Sequence, residues 1–171
     1  KVKTGLIGCG KVGRTHANAL QSLENSEFVA AFSRTEKHAN EFADIYNITP
    51  YTNLEKMLDE SGVEAILVCT PHPVHEEPTV AASRRGIHSL IEKPLASSLE
   101  DCDAMLSEAE KNEVKIGMIS QRRLYPSVQR IRSAIDEGKL GNPVLGMVTM
   151  LGWRDKKYYD RSREVLEGAH F

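Results

Sequence analysis

The sequence predicts an α/β fold: a Rossmann-type doubly wound parallel sheet, followed by the incomplete start of an α+β second domain. Short apolar segments alternate with amphipathic helical patterns up to residue 120, as expected for parallel strands joined by crossover helices. The letters GCGKVG at residues 8–13 follow the first apolar segment and open a helical pattern. This order of strand, glycine loop and helix is typical of the first turn of a Rossmann unit.

The glycine loop uses glycine at three positions for three physical reasons. Gly8 permits the tight turn, Gly10 lets the backbone approach a phosphate, and Gly13 lets the helix pack close to the strand. The N–H groups and positive dipole end of the helix then face an anion. Because the pattern also arises by chance, its position between a strand and a helix is what favours a pyrophosphate site.

The other elements follow from periodicity and capping residues. Thr52 with Glu55 three residues later resembles a capping box, and Ser98 is expected to cap a helix from Leu99 to about Asn112. The strands are predicted at residues 2–7, 28–32, near 51, 65–69, 88–91 and 115–119, with a helix after each of the first five. The buried side of the helix after Ser98 is predicted to carry Leu99, Cys102, Met105, Leu106 and Ala109.

The character of the sequence changes after residue 120. A helical pattern closed by Gly138 precedes the segment from Val144 to Trp153, which is predicted to be a long strand. We therefore divide the chain into a dinucleotide-binding domain, residues 1–120, and an incomplete substrate and oligomerisation domain, residues 121–171. A single strand cannot satisfy both of its edges, so we expect homo-oligomers that form through it.

The composition excludes several classes of protein. A net charge of −2 provides no bulk attraction for nucleic acid or for an anionic membrane. With neither an apolar run of membrane-spanning length nor a basic and apolar leader, we expect a soluble, cytoplasmic protein. The three cysteines are far apart and lack a C-x-x-C spacing, so we expect neither a bound metal nor a disulfide framework.

The choice between NAD and NADP depends on the residue at the end of the second strand. An acidic residue there would bind the ribose 2′-hydroxyl, but this chain has Ser33 followed by Arg34. A guanidinium group pairs with phosphate oxygens, so the sequence favours NADP over NAD. The alternative is that Arg34 is a solvated loop residue.

Two segments that follow predicted strands are expected to meet at the same edge of the sheet as the glycine loop. They are Thr70, Pro71 and His72 after the third long strand, and Glu92, Lys93 and Pro94 after the next. Ligands bind in the crevice beyond such strand ends. A lysine in that crevice is suited to relay a proton or to bind a substrate hydroxyl, although many lysines that follow strands are merely solvated.

Histidines give a less specific signal. His75 lies three residues after His72 and is suited to contact a ribose or a substrate. The alternative is a structural role at the start of a helix, beside Glu76 and Glu77. Glu92 is the expected ion-pair partner of Lys93. We assign no function to the histidines at positions 16, 38 and 88.

The combination of GLIGCGKVG, FSRT, CTPHPVH, IEKP and ISQRRLYPSVQR, in this order, resembles the glucose-fructose oxidoreductase, inositol dehydrogenase and rhizopine catabolism (Gfo/Idh/MocA) family of NAD(P)-dependent oxidoreductases. The resemblance extends over about residues 1–159. It implies hydride transfer between nicotinamide and a secondary alcohol or ketone of a sugar, an inositol or a related polyol. Lys93 would orient the substrate hydroxyl or relay its proton.

The resemblance also implies which residues form the site. Glu92 and Lys93 would form the E-K-P site, and Thr70, Pro71 and His75 would line the nicotinamide half. Gln121, Arg122 and Arg123 would approach the cofactor or the substrate. The residues that bind the dinucleotide would be Gly8, Gly10, Lys11, Val12 and Gly13.

The chain departs from the family pattern at its C-terminal end. Relatives continue with a glycine-rich segment and a D-x-G-x-H motif whose histidine is the acid/base, so the resemblance implies a C-terminal truncation. We do not assign that role to His170. Two functions therefore remain open: an oxidoreductase, and a dinucleotide-binding module without catalytic activity of its own.

Overall fold

The computed structural model describes residues 1–160, which form two compact units. Residues 1–119 form the first unit, and the second begins at Ser120. The last eleven residues of the predicted second domain, 161–171, lie outside the described residues, and His170 is one of them. The assignment of the second unit to substrate binding and oligomerisation stays a prediction.

The first unit is built on a six-stranded sheet in which every neighbouring pair is parallel. The strands are β1 Val2–Ile7, β2 Ser26–Phe32, β3 Thr49–Tyr51, β4 Ala65–Val68, β5 His88–Ile91 and β6 Ile116–Met118. Their order across the sheet is β3-β2-β1-β4-β5-β6. The strand order therefore reverses between β1 and β4, and the predicted doubly wound Rossmann-type sheet is confirmed.

Helices cover both faces of this sheet. They are α1 Lys11–Ser22, α2 Glu36–Tyr46, α3 Leu54–Glu60, α4 Glu76–Ser83 and α5 Leu99–Lys111. Consecutive residues of β1 belong to different cores: Leu6 packs with residues of α1 and α2, whereas Ile7 packs with residues of α3, α4 and α5. This is why the strands have continuous apolar runs, since both faces are buried.

One of the two predicted helix caps is correct. The Ser98 hydroxyl accepts a hydrogen bond from the Asp101 amide at 3.0 Å at the start of α5. The predicted capping box of Thr52 with Glu55 is wrong, because α3 is capped by Asn53, whose side-chain oxygen accepts from the Lys56 amide at 2.9 Å. Asn53 holds the extended conformation that an N-cap residue requires.

The predicted buried side of α5 is only partly correct. Met105 and Ala109 are buried, but Leu99 is 77% exposed and Leu106 is 51% exposed. Helix α5 packs mainly on α4. Within residues 1–160, few side chains cover the part of the apolar face of α5 that contains Leu99 and Leu106.

Among its described residues, 120–160, the second unit contains one complete helix, α6 Pro126–Asp136, which follows a turn of 3-10 helix at Gln121–Leu124. The long strand predicted from Val144 to Trp153 is not present. A strand requires a neighbouring backbone, and none pairs with this segment within residues 1–160. Its apolar side chains are exposed, among them Val144, Leu145, Met147, Val148, Leu151 and Trp153.

Candidate functional site

The loops after β1, β4 and β5 begin side by side at the carboxyl edge of the sheet. The Gly8 amide donates to the Phe32 carbonyl at 3.0 Å and the Cys69 amide to the Ile7 carbonyl at 2.8 Å. The Glu92 amide donates to the Val68 carbonyl at 2.9 Å. These bonds extend the ladders past the strand ends, so the three loops border the crevice where the strand order reverses.

The three glycines of the loop have different surroundings. Gly8 has a φ of +106°, and a Cβ atom there would lie 2.8 Å from the Cys69 carbonyl group. A Cβ atom on Gly13 would lie 2.2 Å from the Gly8 carbonyl oxygen. Around Gly10, a Cβ atom would meet nothing within 4 Å. Gly8 and Gly13 are therefore required by packing, whereas Gly10 leaves open space in front of the backbone.

The first turn of α1 is suited to an anion. Gly10 is the N-cap residue and supplies no side-chain hydrogen bond, and the first turn contains no acidic residue. The first N–H groups of a helix have no partner within that helix, and its dipole favours negative charge there. Lys11 and Val12 are exposed beside this opening. The residues present therefore fit the pyrophosphate of a dinucleotide.

Ser33 and Arg34 lie at the same edge, directly after β2. The Ser33 amide donates to the Tyr51 carbonyl at 3.0 Å, which extends the ladder between β2 and β3. Ser33 is half-buried and Arg34 is exposed. Because β2 neighbours β1, these residues follow the strand next to the one that leads into the glycine loop.

Glu92 has contacts that differ from the expected ion pair with Lys93. Its Oε1 atom lies 2.9 Å from Nε2 of His16, and the two side chains are only 15% and 17% exposed, respectively. Its Oε2 atom accepts from the backbone amide of Lys93 at 3.0 Å. Within the described part of the chain, the carboxylate is thus held by His16 and not by the Lys93 ammonium group.

This role of His16 was not predicted from the sequence. A signal was available, because His16 follows Gly13 by three residues and precedes Leu20 by four, and both of these are buried. Residues at these spacings share one face of a helix. His16 therefore had to lie near the sheet, but its partner is 76 residues away along the chain.

Lys93 is exposed at the rim of the crevice. It directly follows Glu92, whose amide continues the β5 ladder, and the peptide bond between Lys93 and Pro94 is cis. Its side chain is thus available to a ligand bound at the crevice.

Thr70, Pro71 and His75 form the neighbouring wall. Thr70 and Pro71 are half-buried, and the Thr70 hydroxyl donates to the Val74 carbonyl at 3.0 Å. His75 is only 1% exposed, and both of its ring nitrogens face backbone carbonyl oxygens. Both ring nitrogens of His75 therefore contact the backbone, as the structural alternative expects, and the predicted place of His75 at the nicotinamide half stays a prediction.

Burial controls the ionisation of several groups at this edge. It raises the pKa of the Cys9 and Cys69 thiols to about 12, so both stay protonated near neutral pH. The Cys9 thiol lies 3.4 Å from the Phe32 carbonyl oxygen as a donor. The pKa of His72 is lowered by burial and, to a smaller extent, by the positive charges of His75 and Lys93.

Gln121, Arg122 and Arg123 belong to the second compact unit. They form the turn of 3-10 helix that precedes α6, and all three are exposed. The Arg122 guanidinium contacts the sulfur of Met150. Their predicted approach to the cofactor or the substrate stays a prediction.

Residues 1–160 contain neither a candidate metal site nor a candidate membrane-spanning helix. No group of three or more His, Cys, Asp or Glu side chains in residues 1–160 is arranged to hold a metal ion. None of the helices in this part of the chain has both the length and the apolarity needed to cross a bilayer.

The sequence profile of the Gfo/Idh/MocA proteins, an oxidoreductase family with an NAD-binding Rossmann fold, matches residues 2–120. This chain belongs to the Gfo/Idh/MocA family. The membership predicted from the five motifs is thus confirmed, and the matched range contains the glycine loop, the Thr70 segment and the Glu92–Lys93 segment of the site.

Relatives in the Gfo/Idh/MocA family include dehydrogenases of sugar and inositol substrates. Glucose-6-phosphate 3-dehydrogenase of Bacillus subtilis (strain 168) is 32% identical over 140 residues, a match that covers 82% of this chain and 39% of that protein. Myo-inositol 2-dehydrogenase of Thermotoga maritima is 26% identical over 149 residues, which cover 86% of this chain and 45% of that protein.

The solved structure of another dehydrogenase is similar to this chain over nearly its whole length. The WlbA dehydrogenase of Bordetella pertussis, in complex with NADH and UDP-GlcNAcA, superposes with a TM-score of 0.91 at 26% identity. The match covers 95% of this chain and 47% of that protein. The chain therefore spans less than half the length of each of these three relatives.

Proposed function

We propose that this chain forms the dinucleotide-binding half of an NAD(P)-dependent oxidoreductase acting on a secondary alcohol or ketone of a sugar, an inositol or a related polyol. The observation that carries the proposal is the open first turn of α1 at the β1/β4 crevice, bordered on the β5 side by Lys93. The names of the two curated relatives support the class of substrate.

Each part of the crevice has its own task in this proposal. The amides of residues 11–13 hold the pyrophosphate, and Thr70 and Pro71 border the nicotinamide. Bound NAD(P) supplies the hydride acceptor for an alcohol or the hydride donor for a ketone. Lys93 orients the substrate oxygen through its Nζ atom and takes or returns the hydroxyl proton. Glu92 fixes the start of the Lys93 segment, because it accepts the Lys93 amide while His16 holds its other oxygen.

We further propose that NADP is preferred over NAD. Ser33 provides no carboxylate for a ribose 2′-hydroxyl, and the guanidinium group of the adjacent Arg34 is of the type that pairs with a 2′-phosphate. A neutral residue followed by a cation is the arrangement that favours the additional phosphate.

The alternative function is a dinucleotide-binding module without catalytic activity of its own, such as a sensor or a subunit. The chain spans less than half the length of its relatives, so the activity of a whole protein of this family stays a proposal for it. Both functions require the dinucleotide site, and only the first requires turnover.

The experiment that separates them combines binding and turnover on the 171-residue chain. NAD, NADP and their reduced forms are titrated by calorimetry, and a panel of sugars, sugar phosphates, inositols and their ketones is assayed by the absorbance of reduced nicotinamide. Turnover that is lost in Lys93→Ala supports the oxidoreductase. Tight binding without turnover supports the module, and failure to bind any dinucleotide contradicts both.

Self-association and a cytoplasmic location stay predictions. The side chains of Val144, Met147 and Leu151 support association with a second copy, since they expose apolar area that such an association could bury. Sedimentation of the chain over a range of concentrations tests it, and a monomer throughout would contradict it.

A further inference from the structure

The ring of His75 joins two loops that are about twenty residues apart in sequence. Its Nε2 atom lies 2.8 Å from the Thr70 carbonyl oxygen, in the loop after β4. Its Nδ1 atom lies 3.0 Å from the Pro94 carbonyl oxygen and 3.3 Å from that of Leu95. Both of these follow Lys93, so the ring connects the two walls of the crevice from below the surface.

The chemistry of these three contacts determines how many protons the ring carries. A backbone carbonyl oxygen can only accept a hydrogen bond, so each ring nitrogen must donate. A neutral imidazole has a single N–H, and either tautomer would direct a nitrogen lone pair at a carbonyl oxygen. Only the imidazolium form, with a proton on both nitrogens, makes both sets of contacts favourable.

Two neighbouring side chains oppose a positive charge on this ring. A protonated His72 is the first, since its ring centroid lies 6.3 Å from that of His75, and Lys93 is the second, directly before the Pro94–Leu95 segment that the ring contacts. Burial alone disfavours a charged ring, but oxygens that accept from both nitrogens stabilise the charged form. Three carbonyl dipoles point at this ring.

His75 is itself anchored, so it can hold the segment that it contacts. The Thr79 hydroxyl donates to the His75 carbonyl at 2.7 Å at the start of α4. The Thr70 hydroxyl donates to the carbonyl of the preceding residue, Val74, at 3.0 Å. The backbone on both sides of the ring is therefore fixed, and the segment after Lys93 is positioned against it.

We propose that His75 is a positioning residue for Lys93: a buried imidazolium that donates from both ring nitrogens and fixes the Pro94–Leu95 backbone against the loop after β4. The role assigned to Lys93 rests on the proposed function, whereas the double donation by His75 does not. His75 thus acts on the crevice through the backbone and contacts neither cofactor nor substrate.

The first test concerns the ring itself and requires no ligand. Long-range proton–nitrogen correlation spectra are recorded on the ¹³C,¹⁵N-labelled chain near neutral pH, and the ring signals of His75 are assigned through bonds from its backbone. We expect both ring nitrogens of His75 to show the shifts of protonated nitrogens. A single pyridine-type nitrogen would overturn the imidazolium assignment, whatever the activity of the chain.

The second test concerns the backbone that His75 positions. Hydrogen exchange of the segments at residues 69–74 and 92–96 is compared between the wild type, His75→Gln and His75→Leu. His38→Gln, at an exposed position of α2, is the matched control. We expect faster exchange in both segments in the two His75 variants and no change in the control. Unchanged exchange in folded variants would overturn the positioning role, and the wild-type spectra above decide the case if the variants fail to fold.

The third test separates positioning from general stability. Where the chain turns over a substrate, His75→Gln is expected to lower kcat by about tenfold or more, because a small misplacement of a reacting group is costly. The Kd for the dinucleotide should stay close to that of the wild type. A variant with lower thermal stability but an unchanged kcat would contradict the role. Absence of turnover in the wild type would contradict the oxidoreductase proposal only, and the exchange and spectral results would still decide the role of His75.

Discussion

The Nε2 atom of His16 lies 2.9 Å from the Oε1 atom of Glu92, which links the helix behind the glycine loop to the residue before Lys93. His16 belongs to α1 and Glu92 follows β5, so the bond spans the crevice at the base of the site. Both side chains are largely buried. A buried carboxylate that loses its hydrogen-bond partner destabilises the fold, so breaking this bond should lower the free energy of unfolding as well as affect the site.

We predict that His16→Ala lowers the free energy of unfolding by about 1–3 kcal/mol, the usual cost of leaving a buried polar group without its partner. His16→Gln should lose less, because its amide can still donate to the carboxylate. Urea denaturation gives the measurement, and His38→Ala at the exposed surface of α2 is the control. Equal stability of His16→Ala and His38→Ala would show that the bond contributes nothing.

Gly10 and Gly13 should respond differently to the same substitution. Gly10→Ala places a methyl group in open space, so the fold should keep its stability to within about 1 kcal/mol while dinucleotide binding weakens. Gly13→Ala brings a methyl group to 2.2 Å from the Gly8 carbonyl oxygen, a clash that should destabilise the fold by about 1–3 kcal/mol or more. Thermal unfolding and calorimetric titration measure the two effects. Undiminished binding in Gly10→Ala would contradict a pyrophosphate at this turn.

Arg34→Ala should weaken the binding of NADP more than that of NAD, since only NADP has a 2′-phosphate for the guanidinium to contact. The loss for NADP should be about tenfold, as for a charge-assisted hydrogen bond of about 1.5 kcal/mol. Titration of both dinucleotides on the wild type and the variant gives the comparison. Lys37→Ala is a control at an exposed cation nearby in sequence, on α2. Equal losses for the two dinucleotides would remove the 2′-phosphate assignment.

Lys93→Ala should reduce kcat by about a hundredfold or more while dinucleotide affinity changes little, because proton transfer by a positioned group contributes about this much. Steady-state rates with a substrate that the panel identifies, together with cofactor titration, provide the measurement. Lys111→Ala, at an exposed lysine near the end of α5, is the control. A variant whose only defect is weaker cofactor binding would exclude the proton role.

The cluster around Arg85 predicts how stability depends on pH. The Arg85 guanidinium donates to Asp59 at 2.6 Å, and this hydrogen bond holds the pKa of the Asp59 carboxyl below its ordinary value. The pKa of Asp59 is thus lower in the folded chain than in the unfolded chain, where it is about 3.9. The ionised carboxylate therefore stabilises the fold above about pH 3.9, and this stabilisation is lost as the pH falls through the pKa of the folded state. The stability difference between wild type and Arg85→Gln should therefore shrink as the solution is acidified below this range.

Urea denaturation of both proteins at neutral and acidic pH checks the Arg85 prediction. Arg132→Gln is the matched control, since Arg132 pairs with Asp136 within the second unit. A difference that grows on acidification would contradict the sign of the Asp59 shift.

Much of the dinucleotide half could be predicted because its signals are local. The apolar strands, the Ser98 cap and the glycine loop depend on residues within a few positions of one another, and the steric need for Gly13 is the same in any chain with this turn. Even the buried position of His16 follows from its spacing to Gly13 and Leu20. Two predictions were wrong: the burial of Leu99 and Leu106 on α5, and the strand at 144–153. Both depend on which other segments lie beside these elements.

By itself, the sequence determined the parallel sheet, the family and the position of the glycine loop, because periodicity, steric limits at glycine and motif order are properties of the chain read locally. Only the tertiary structure decided which partners the polar groups of the site take. The Glu92 carboxylate contacts His16 instead of the Lys93 ammonium group, and both ring nitrogens of His75 contact backbone carbonyl oxygens. The physical reason is that a buried polar group takes the donor or acceptor that folding brings within reach, whatever its distance along the chain.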